Sequence, residues 1–320
     1  MAASAYALDD SQTIEGFVNQ GGKDIVGTLI TGSGSAADLT SSDINGWVKL
    51  DNAAINFDDK GGYMSVWNNA NQSGPSGFYS IAVKGDSTLN FKSGSTANLV
   101  ANNGICSTYK DTPTGGTYAG NLNINVEKGY AGSIRTNMIA AMYNNSSINL
   151  NLNQEEVFGT YGASAPTTLR AYQAILDITM TANQTFAWDI RNDSTFNVDI
   201  TNGTKLKFCQ ANIWSSYETT INVADGFDGY IAFLEDIVAI DSCDFDNNII
   251  AIKNGENVCK ITISAGEQVY FYEKDCFDRY SGERKSYWVV SNNPAVPEPA
   301  TYAAIFGACA LAIAVYHRRK

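Results

Sequence analysis

The sequence predicts an all-β protein whose body is a parallel β-helix (β-solenoid) and whose carboxyl end contains a transmembrane helix. Long helical periodicities are absent from the body, and short runs alternate between apolar and polar residues, as is typical of strands. One tripeptide, an asparagine between two apolar residues, recurs along the body. An uncharged apolar run, 300–316, follows a cluster of prolines and is the predicted membrane segment.

The first residues, 1–7, are expected to be the remnant of an export signal peptide. Ala3-Ser4-Ala5 and Ala5-Tyr6-Ala7 both have the small-residue pattern of a cleavage site, and the polar residues 8–11 follow directly. The charged and apolar regions of a complete signal peptide do not precede them. An ordinary amino terminus is the alternative. The predicted extracellular body spans residues 8–291.

The recurring tripeptide sets the expected length of one coil. Its first two steps are 34 and 35 residues and the later ones are 24, 48 and 25, so that 48 corresponds to two units. Leu176-Asp177-Ile178 fills that gap, with aspartate in place of asparagine. The six occurrences are Ile55-Asn56-Phe57, Leu89-Asn90-Phe91, Ile124-Asn125-Val126, Ile148-Asn149-Leu150, Phe196-Asn197-Val198 and Ile221-Asn222-Val223.

A repeat of about 24 residues with short strands and polar turns is what a parallel β-helix requires. Coils stack at about 4.8 Å, so apolar side chains line up inside and asparagines can form ladders between coils. The alternative architecture is a β-sandwich or jelly roll, which also has short strands at regular spacing.

The carboxyl end of the body is expected to be closed by a hairpin. Residues 267–272 and 286–290 have strand-like patterns and flank the charged segment 273–285, which is predicted to be a loop. A solenoid exposes its end coil to further strand pairing unless something covers it, so a hairpin here would act as a cap.

The composition offers few catalytic groups. His317 is the single histidine and lies in the terminal stub, which excludes a Ser-His-Asp triad and a histidine-ligated zinc site from the body. Carboxylate pairs at 58–59 and 155–156, and the cluster of Asp241, Asp244 and Asp246, could serve glycoside hydrolysis. Adjacent residues of a strand point to opposite faces, so solvated surface charge is the preferred interpretation. No catalytic residue is therefore predicted.

A calcium site is the one cofactor alternative. Asp241, Asp244 and Asp246 could supply oxygen ligands. An EF-hand register that starts at Asp244 places Ile249 where glycine is required and Gly255 where glutamate is required. The motif fails, and we predict no cofactor, with calcium as the alternative.

Charge and cysteine content limit the partners and the compartment. Residues 1–297 contain 18 basic and 32 acidic residues, so this surface repels phosphate backbones and nucleic acid is not an expected partner. Four cysteines between 209 and 276 could form one or two disulfides in an oxidising compartment. The five cysteines before the apolar run, which fit no C-x-x-C pattern, are Cys106, Cys209, Cys243, Cys259 and Cys276.

A proline linker, an apolar helix and a basic tail are predicted at 292–299, 300–316 and 317–320. Proline suits the first position of a helix, so Pro299 is its expected start. Seventeen residues at 1.5 Å each give about 25 Å, near the short limit for crossing a bilayer. The basic tail is expected to stay on the cytoplasmic side, which leaves the body outside.

This carboxyl segment resembles the PEP-CTERM sorting signal of exported bacterial proteins. The resemblance rests on Val296-Pro297-Glu298-Pro299, the apolar run and the final basic residues, and it covers less than a tenth of the chain. It implies that Pro297, Glu298 and Pro299 are recognised by exosortase, an integral membrane protease-transpeptidase. It also implies an envelope or extracellular-matrix destination, often in bacteria that make exopolysaccharide.

The sequence therefore predicts an exported structural or interaction protein of the cell surface or extracellular matrix, anchored in the membrane before processing. Arg318, Arg319 and Lys320 are the expected stop and orientation signal. Exosortase is the expected processing partner, and exopolysaccharide or other envelope components are further candidates. The alternative is a polysaccharide-binding or polysaccharide-degrading β-helix protein that uses surface carboxylates and aromatic side chains.

Overall fold

Every regular element that the structure describes is a β-strand, which confirms the all-β prediction. The predicted signal remnant, linker, membrane helix and tail all lie outside the described residues, and the part that is described contains no helix long and apolar enough to cross a membrane. The computed structural model describes residues 25–31, 36–38, 41–58, 60–67, 79–110, 117–143, 146–160, 165–191, 194–201, 203–214, 220–224, 226–236, 238–244, 249–263 and 270–291.

The strands are short, and most alternate between buried and partly exposed residues. They are β1 (Ile25–Thr31), β2 (Ala36–Asp38), β3 (Ser41–Asp51), β4 (Ala54–Phe57), β5 (Tyr63–Trp67), β6 (Ile81–Phe91), β7 (Asn98–Ala101), β8 (Ile105–Cys106), β9 (Thr108–Lys110), β10 (Thr117–Val126), β11 (Ile134–Thr136), β12 (Met138–Met142), β13 (Ser147–Leu152), β14 (Phe158–Gly159), β15 (Thr168–Tyr172), β16 (Ile175–Met180), β17 (Gln184–Arg191), β18 (Thr195–Ile200), β19 (Thr204–Trp214), β20 (Thr220–Val223), β21 (Gly229–Leu234), β22 (Ala239–Asp244), β23 (Ile249–Asn254), β24 (Asn257–Ile263), β25 (Tyr270–Asp278) and β26 (Glu283–Ser291).

One face of the molecule, here named the ladder face, is a stack of parallel strands. Among the described residues its order is β2, β4, β6, β10, β13, β16, β18, β20 and β24. The register places like residues opposite one another. Asn56 pairs with Asn90, Asn90 with Asn125, and Asn125 with Asn151.

Two further faces complete each circuit of the chain. β3 pairs through residues 41–45 with β5 and through residues 48–51 with β6, so a single strand serves both faces. One face continues through β7, β11 and β14, and the other through β8, β12, β15 and β17. The chain thus returns to each face and pairs in parallel with its previous circuit, which is compatible with a parallel β-helix.

Apolar columns fill the space between the three faces. On the ladder face Ile55, Leu89, Ile124 and Leu150 are paired in register and are at most 1% exposed. Each such buried side chain contributes about 1.5–3 kcal/mol relative to an exposed one. The rings of Phe57 and Phe91, one residue further along, stack with centroids 4.4 Å apart. Strand alternation thus sends one set of residues inward and leaves the asparagines outside.

The turn that leads into the ladder face uses left-handed backbone in several coils. Asn52, Tyr143 and Gln173 have φ values of 49°, 67° and 50°, and Gly85 has 65°. This region is open to glycine, is tolerated by asparagine, and is unfavourable for a bulky residue. At Gly85 a side chain would also collide with that of Asn52, which accepts the N–H of Asp86 at 3.1 Å.

Buried serine hydroxyls satisfy backbone groups at the same turns. Ser107 Oγ accepts the N–H of Met142 at 3.1 Å and donates to Ser146 Oγ at 2.8 Å. Ser194 Oγ accepts the N–H of Gln173 at 3.0 Å. A buried backbone N–H without a partner costs about 1–3 kcal/mol. These serines therefore stabilise the bend by accepting backbone N–H groups that the sheet does not pair.

The carboxyl end of the body is antiparallel. β24, β23 and β22 form a meander on the ladder face, while β26 pairs with β21 and β25 pairs with β26 on a second face. The predicted closing hairpin is confirmed, but the prediction of a loop over 273–285 was wrong. Both strands run through this charged segment and only residues 279–282 form the turn. Charged side chains on a terminal pair discourage further strand addition.

Antiparallel pairing elsewhere in the described residues is limited to β9 and the start of β10. A β-sandwich or jelly roll consists of antiparallel sheets, so the parallel register of the ladder face does not fit that alternative.

Candidate functional site

The residues of the predicted sorting signal lie beyond the last described strand. β26 ends at Ser291, whose hydroxyl donates to the carbonyl of Gly229 at 2.7 Å and whose side chain is buried. The last described strand is therefore fixed in the sheet up to Ser291, where the predicted linker begins in sequence. Those residues, all outside the described part of the chain, are Pro297, Glu298, Pro299, Arg318, Arg319 and Lys320.

The carboxylate pair at 155–156 is used to hold the fold together. Glu156 Oε2 contacts Arg279 Nη1 at 2.7 Å, and its Oε1 accepts the hydroxyl of Thr185 at 2.7 Å. Glu155 Oε1 accepts an amide N–H of Asn183 at 2.8 Å. The two adjacent carboxylates therefore bond to different neighbours and do not converge on one point.

Arg279 belongs to the turn of the carboxyl-terminal hairpin and reaches 123 residues back in sequence. Besides Glu156 it donates to two backbone carbonyl oxygens, that of Glu156 at 3.0 Å and that of Phe158 at 2.9 Å. Together with Arg135 and Gln154, these residues line a groove of about 300 Å³. With these three bonds Arg279 holds the hairpin against β14.

The other carboxylates noted in the sequence do not form a metal site in the described residues. Asp241 and Asp244 lie on β22, and Asp241 contacts Lys253 at 3.4 Å. Asp59 and Asp246 lie outside the described residues. Within the described ranges no three acidic, cysteine or histidine side chains come together in a group that could hold a metal ion.

The disulfides that the cysteine spacing allowed are not present among the described residues. Cys106, Cys209, Cys243, Cys259 and Cys276 are all free thiols, and four of them are buried while Cys243 is exposed. Burial raises the pKa of Cys106 to about 11 and that of Cys209 to about 12. Both thiols are therefore protonated at neutral pH and are poor nucleophiles.

A buried ion pair lies on the face formed by β15 and β17. Arg170 Nε and Nη2 contact Asp189 Oδ2 at 2.8 and 2.6 Å, and the Asp189 side chain is 2% exposed. Burial raises the pKa of nearby Tyr79 to about 12, so its phenol stays protonated. Its hydroxyl donates to the sulfur of Met142 at 3.7 Å. These contacts are internal and offer no open acid or base.

The most regular polar surface is the ladder face. Asn90 Nδ2 donates to Asn56 Oδ1 at 3.0 Å, Asn125 to Asn90 at 2.8 Å, and Asn151 to Asn125 at 2.7 Å. These amides form the first ladder, at sequence steps of 34, 35 and 26 residues.

A second ladder runs two residues to the side of the first. Asn149 donates to Asn123 at 2.9 Å, Asn197 to Asp177 at 2.6 Å, and Asn222 to Asn197 at 2.9 Å. A shallow groove of about 380 Å³ lies over its later members. Asp177 therefore takes an asparagine position, as the sequence predicted.

A third, shorter row lies beside the turn into the ladder face. Asn121 donates to Asp86 Oδ1 at 2.8 Å and accepts the hydroxyl of Ser147 at 3.0 Å. Tyr143 and Tyr172 lie in successive coils shortly before this row, where Met142, the neighbour of Tyr143, pairs with Tyr172. Tyr118 instead pairs antiparallel with Tyr109 in the hairpin of β9 and β10. The sequence did not identify these residues as surface aromatics, because their placement depends on coil lengths that vary along the chain.

No protein-family model and no curated protein matches this chain.

Proposed function

We propose that this chain is an exported structural and interaction protein of the cell surface or extracellular matrix. In this proposal the body is a parallel β-helix that makes no catalytic use of its carboxylates, and the carboxyl end is a sorting signal. An exosortase-type membrane protease reads the signal and releases or transfers the body. Before that step the chain is held in the membrane by the apolar segment 300–316.

One observation carries the structural part of the proposal: side-chain amides bond coil to coil along the ladder face. Each inner asparagine donates to one neighbouring coil and accepts from the other, as Asn125 does between Asn90 and Asn151. Such rows hold the coils in register and give the surface a repeated polar pattern. A long polar surface of this kind suits a protein that works by contact.

The degrading-enzyme alternative receives no support from the acidic side chains beside the groove at 154–158. A glycosidase needs two carboxyl groups that face each other about 5–9.5 Å apart and are accessible to a sugar. Glu155 and Glu156 instead bond to Asn183, Thr185 and Arg279. Their engagement supports a non-catalytic role.

The sorting part of the proposal is tested by changing Pro297, Glu298 and Pro299 together to alanine in the full chain, expressed in a producing host. We expect the altered chain to accumulate unprocessed in the membrane fraction, because the protease loses its recognition element while the apolar anchor stays intact. Fractionation and gel mobility provide the measurement.

Asn292→Ala is the matched control, since it changes a linker residue that precedes the motif Val296-Pro297-Glu298-Pro299. We expect its release to match that of the unaltered chain. Unchanged release and unchanged gel mobility of the triple variant would contradict the sorting proposal.

A further inference from the structure

We propose that the groove beside β14 binds a sugar acid, that is, a pyranose unit that carries a carboxylate. The groove is formed by two successive coils, through residues within 130–135 and 154–158, and by Arg279 of the hairpin. Its volume of about 300 Å³ lies at the lower end of the range for small-molecule sites. The inference names a class of partner for the contact role proposed above and rests on that role only for where the partner is met.

The side chain of Arg135 is exposed and lies over a glycine of the next coil. Arg135 belongs to β11 and pairs with Gly159 of β14. A Cβ atom on Gly159 would lie 2.6 Å from Arg135 Nη1, so the guanidinium occupies the space that a side chain at 159 would fill. Gly159 does not have a positive φ, so the backbone itself does not require glycine there. The glycine thus makes room for the arginine.

The positive charge of Arg135 is not compensated within the fold. Arg279 donates to the carbonyl of Phe158 at 2.9 Å, so two guanidinium groups meet adjacent residues of β14. Arg279 is paired with Glu156 at 2.7 Å, whereas Arg135 makes no hydrogen bond or ion pair in the part of the chain that the structure describes. Neighbouring like charges repel, and a carboxylate bound to Arg135 would relieve this repulsion. The planar guanidinium matches a carboxylate with two parallel bonds.

The polar groups beside Arg135 match sugar hydroxyls. Gln154 Oε1 accepts the N–H of Gly129 at 2.8 Å, and the two N–H groups of its Nε2 have no partner in the described residues. Glu155 uses Oε1 to accept from Asn183 at 2.8 Å, which leaves Oε2 as an acceptor. The groove therefore offers a cation for a carboxylate, an amide donor for hydroxyl oxygens, and a carboxylate oxygen for hydroxyl hydrogens.

The same groups disfavour other ligands. A neutral sugar would leave the charge of Arg135 unpaired, and sulfate would face the Glu155 carboxylate without a hydrogen to donate to it. An apolar peptide side chain would find little to contact, because Val157 and Phe158 of the groove wall are buried in the core. The net charge of −12 repels a polyanion at long range, but salt screens this repulsion and recognition occurs at contact.

The test measures binding to the purified full-length chain in mild detergent by isothermal titration calorimetry at about 150 mM salt. The acidic probes are trigalacturonate and triguluronate, the neutral probes are maltotriose and cellotriose, and triglutamate represents an acidic peptide. We expect at least one of the two acidic trisaccharides to bind, and the neutral sugars and the peptide to bind at least about tenfold more weakly, because only the sugar acids satisfy both the guanidinium and the hydroxyl partners.

Two variants separate the charge of Arg135 from its position. Arg135→Gln removes the charge and should weaken binding about tenfold or more through loss of a charge-assisted pair. Gly159→Ala keeps the charge but places a methyl group where Arg135 Nη1 lies, so binding should weaken by a smaller factor. Arg135 makes no bond within the described fold, so urea unfolding of Arg135→Gln should match that of the unaltered chain.

Lys128→Gln is the matched control, since it removes the same charge from an exposed residue that does not line the groove. It should leave binding unchanged. The proposal is overturned if neither acidic trisaccharide binds, if a neutral sugar or triglutamate binds as tightly, if Arg135→Gln or Gly159→Ala binds as tightly as the unaltered chain, or if Lys128→Gln weakens binding as much as Arg135→Gln. Sorting is scored separately in the host, so failure of one proposal does not resemble failure of the other.

Discussion

Single asparagine side chains join neighbouring coils of the ladder face. The recurring tripeptide predicted such ladders, and six of its asparagines do lie on this face. Asn125 and Asn149 were expected to stand opposite each other, but the register pairs Asn125 with Asn151 and Asn149 with Asn123. Between these two coils the ladder step is therefore 26 residues, and not the 24 that the spacing of the tripeptide indicated. A shift of two residues keeps every side chain on the same face, so the pattern of alternation could not reveal it.

The ladder predicts a measurable cost for removing one inner amide. Asn125→Ala deletes the bond to Asn90 and the bond from Asn151, and it leaves both partners only half exposed. We expect the free energy of unfolding to fall by about 1–2 kcal/mol, as is usual for lost hydrogen bonds of this kind. Urea unfolding followed by circular dichroism measures it.

Asn137→Ala is the comparison for that measurement, because Asn137 is exposed and stands outside the three ladders. Its free energy of unfolding should stay within about 0.5 kcal/mol of the unaltered chain. Equal stability of the two variants would show that the ladder bonds contribute nothing beyond bonds to water.

At the scale of elements, strand patterns were easier to predict than the way strands join. Short alternating runs predicted the β-structure, since alternation follows directly from which face is buried. The charged segment 273–285 was predicted as a loop because its residues are polar. Its strands instead pair through residues on both sides, such as Cys276 with Lys285, and backbone bonding there does not require an apolar face. The polar composition of this segment therefore led to the incorrect prediction of a loop where the chain forms an edge hairpin.

The reach of that hairpin could not be predicted from local sequence at all. Arg279 contacts Glu156 across 123 residues, and the pairing depends on how many coils stack between them.

The hairpin contact predicts that Arg279→Ala loosens the carboxyl-terminal cap. The change removes an ion pair to Glu156 and bonds to two backbone carbonyl oxygens, one of them that of Phe158. We expect a loss of about 1–3 kcal/mol and faster proteolysis within 270–291, because partly buried acceptors lose a charged donor. Limited proteolysis with mass spectrometry and urea unfolding provide the readouts.

Arg284→Ala serves as the matched change in the same hairpin, since Arg284 bonds to the carbonyl of Asp275 in an exposed position. We expect its cleavage rate to stay near that of the unaltered chain. Similar cleavage of the two arginine variants would mean that the long-range contact does not secure the hairpin.

At the scale of the whole molecule, each coil is stabilised mainly by the coil before it and the coil after it. Stability in such a stack is close to a sum of neighbour terms, so the ends need separate protection. The antiparallel meander of β22 to β24 and the hairpin of β25 and β26 provide it at the carboxyl end. The ion pair of Arg279 with Glu156 adds a long-range contact between this hairpin and an earlier coil.

The burial of the cysteines within this packing gives a final prediction. Cys106, Cys209, Cys259 and Cys276 are buried, and only Cys243 is exposed in the described residues. Cys309 of the apolar run is first replaced (Cys309→Ser), so that only the five cysteines of the body are counted. For this full-length chain, purified without reductant, we expect a thiol reagent to modify one thiol in the native state and all five after unfolding. Buried, protonated thiols react slowly. Fewer than five thiols after unfolding would mean that disulfides form on export, as the cysteine spacing first suggested.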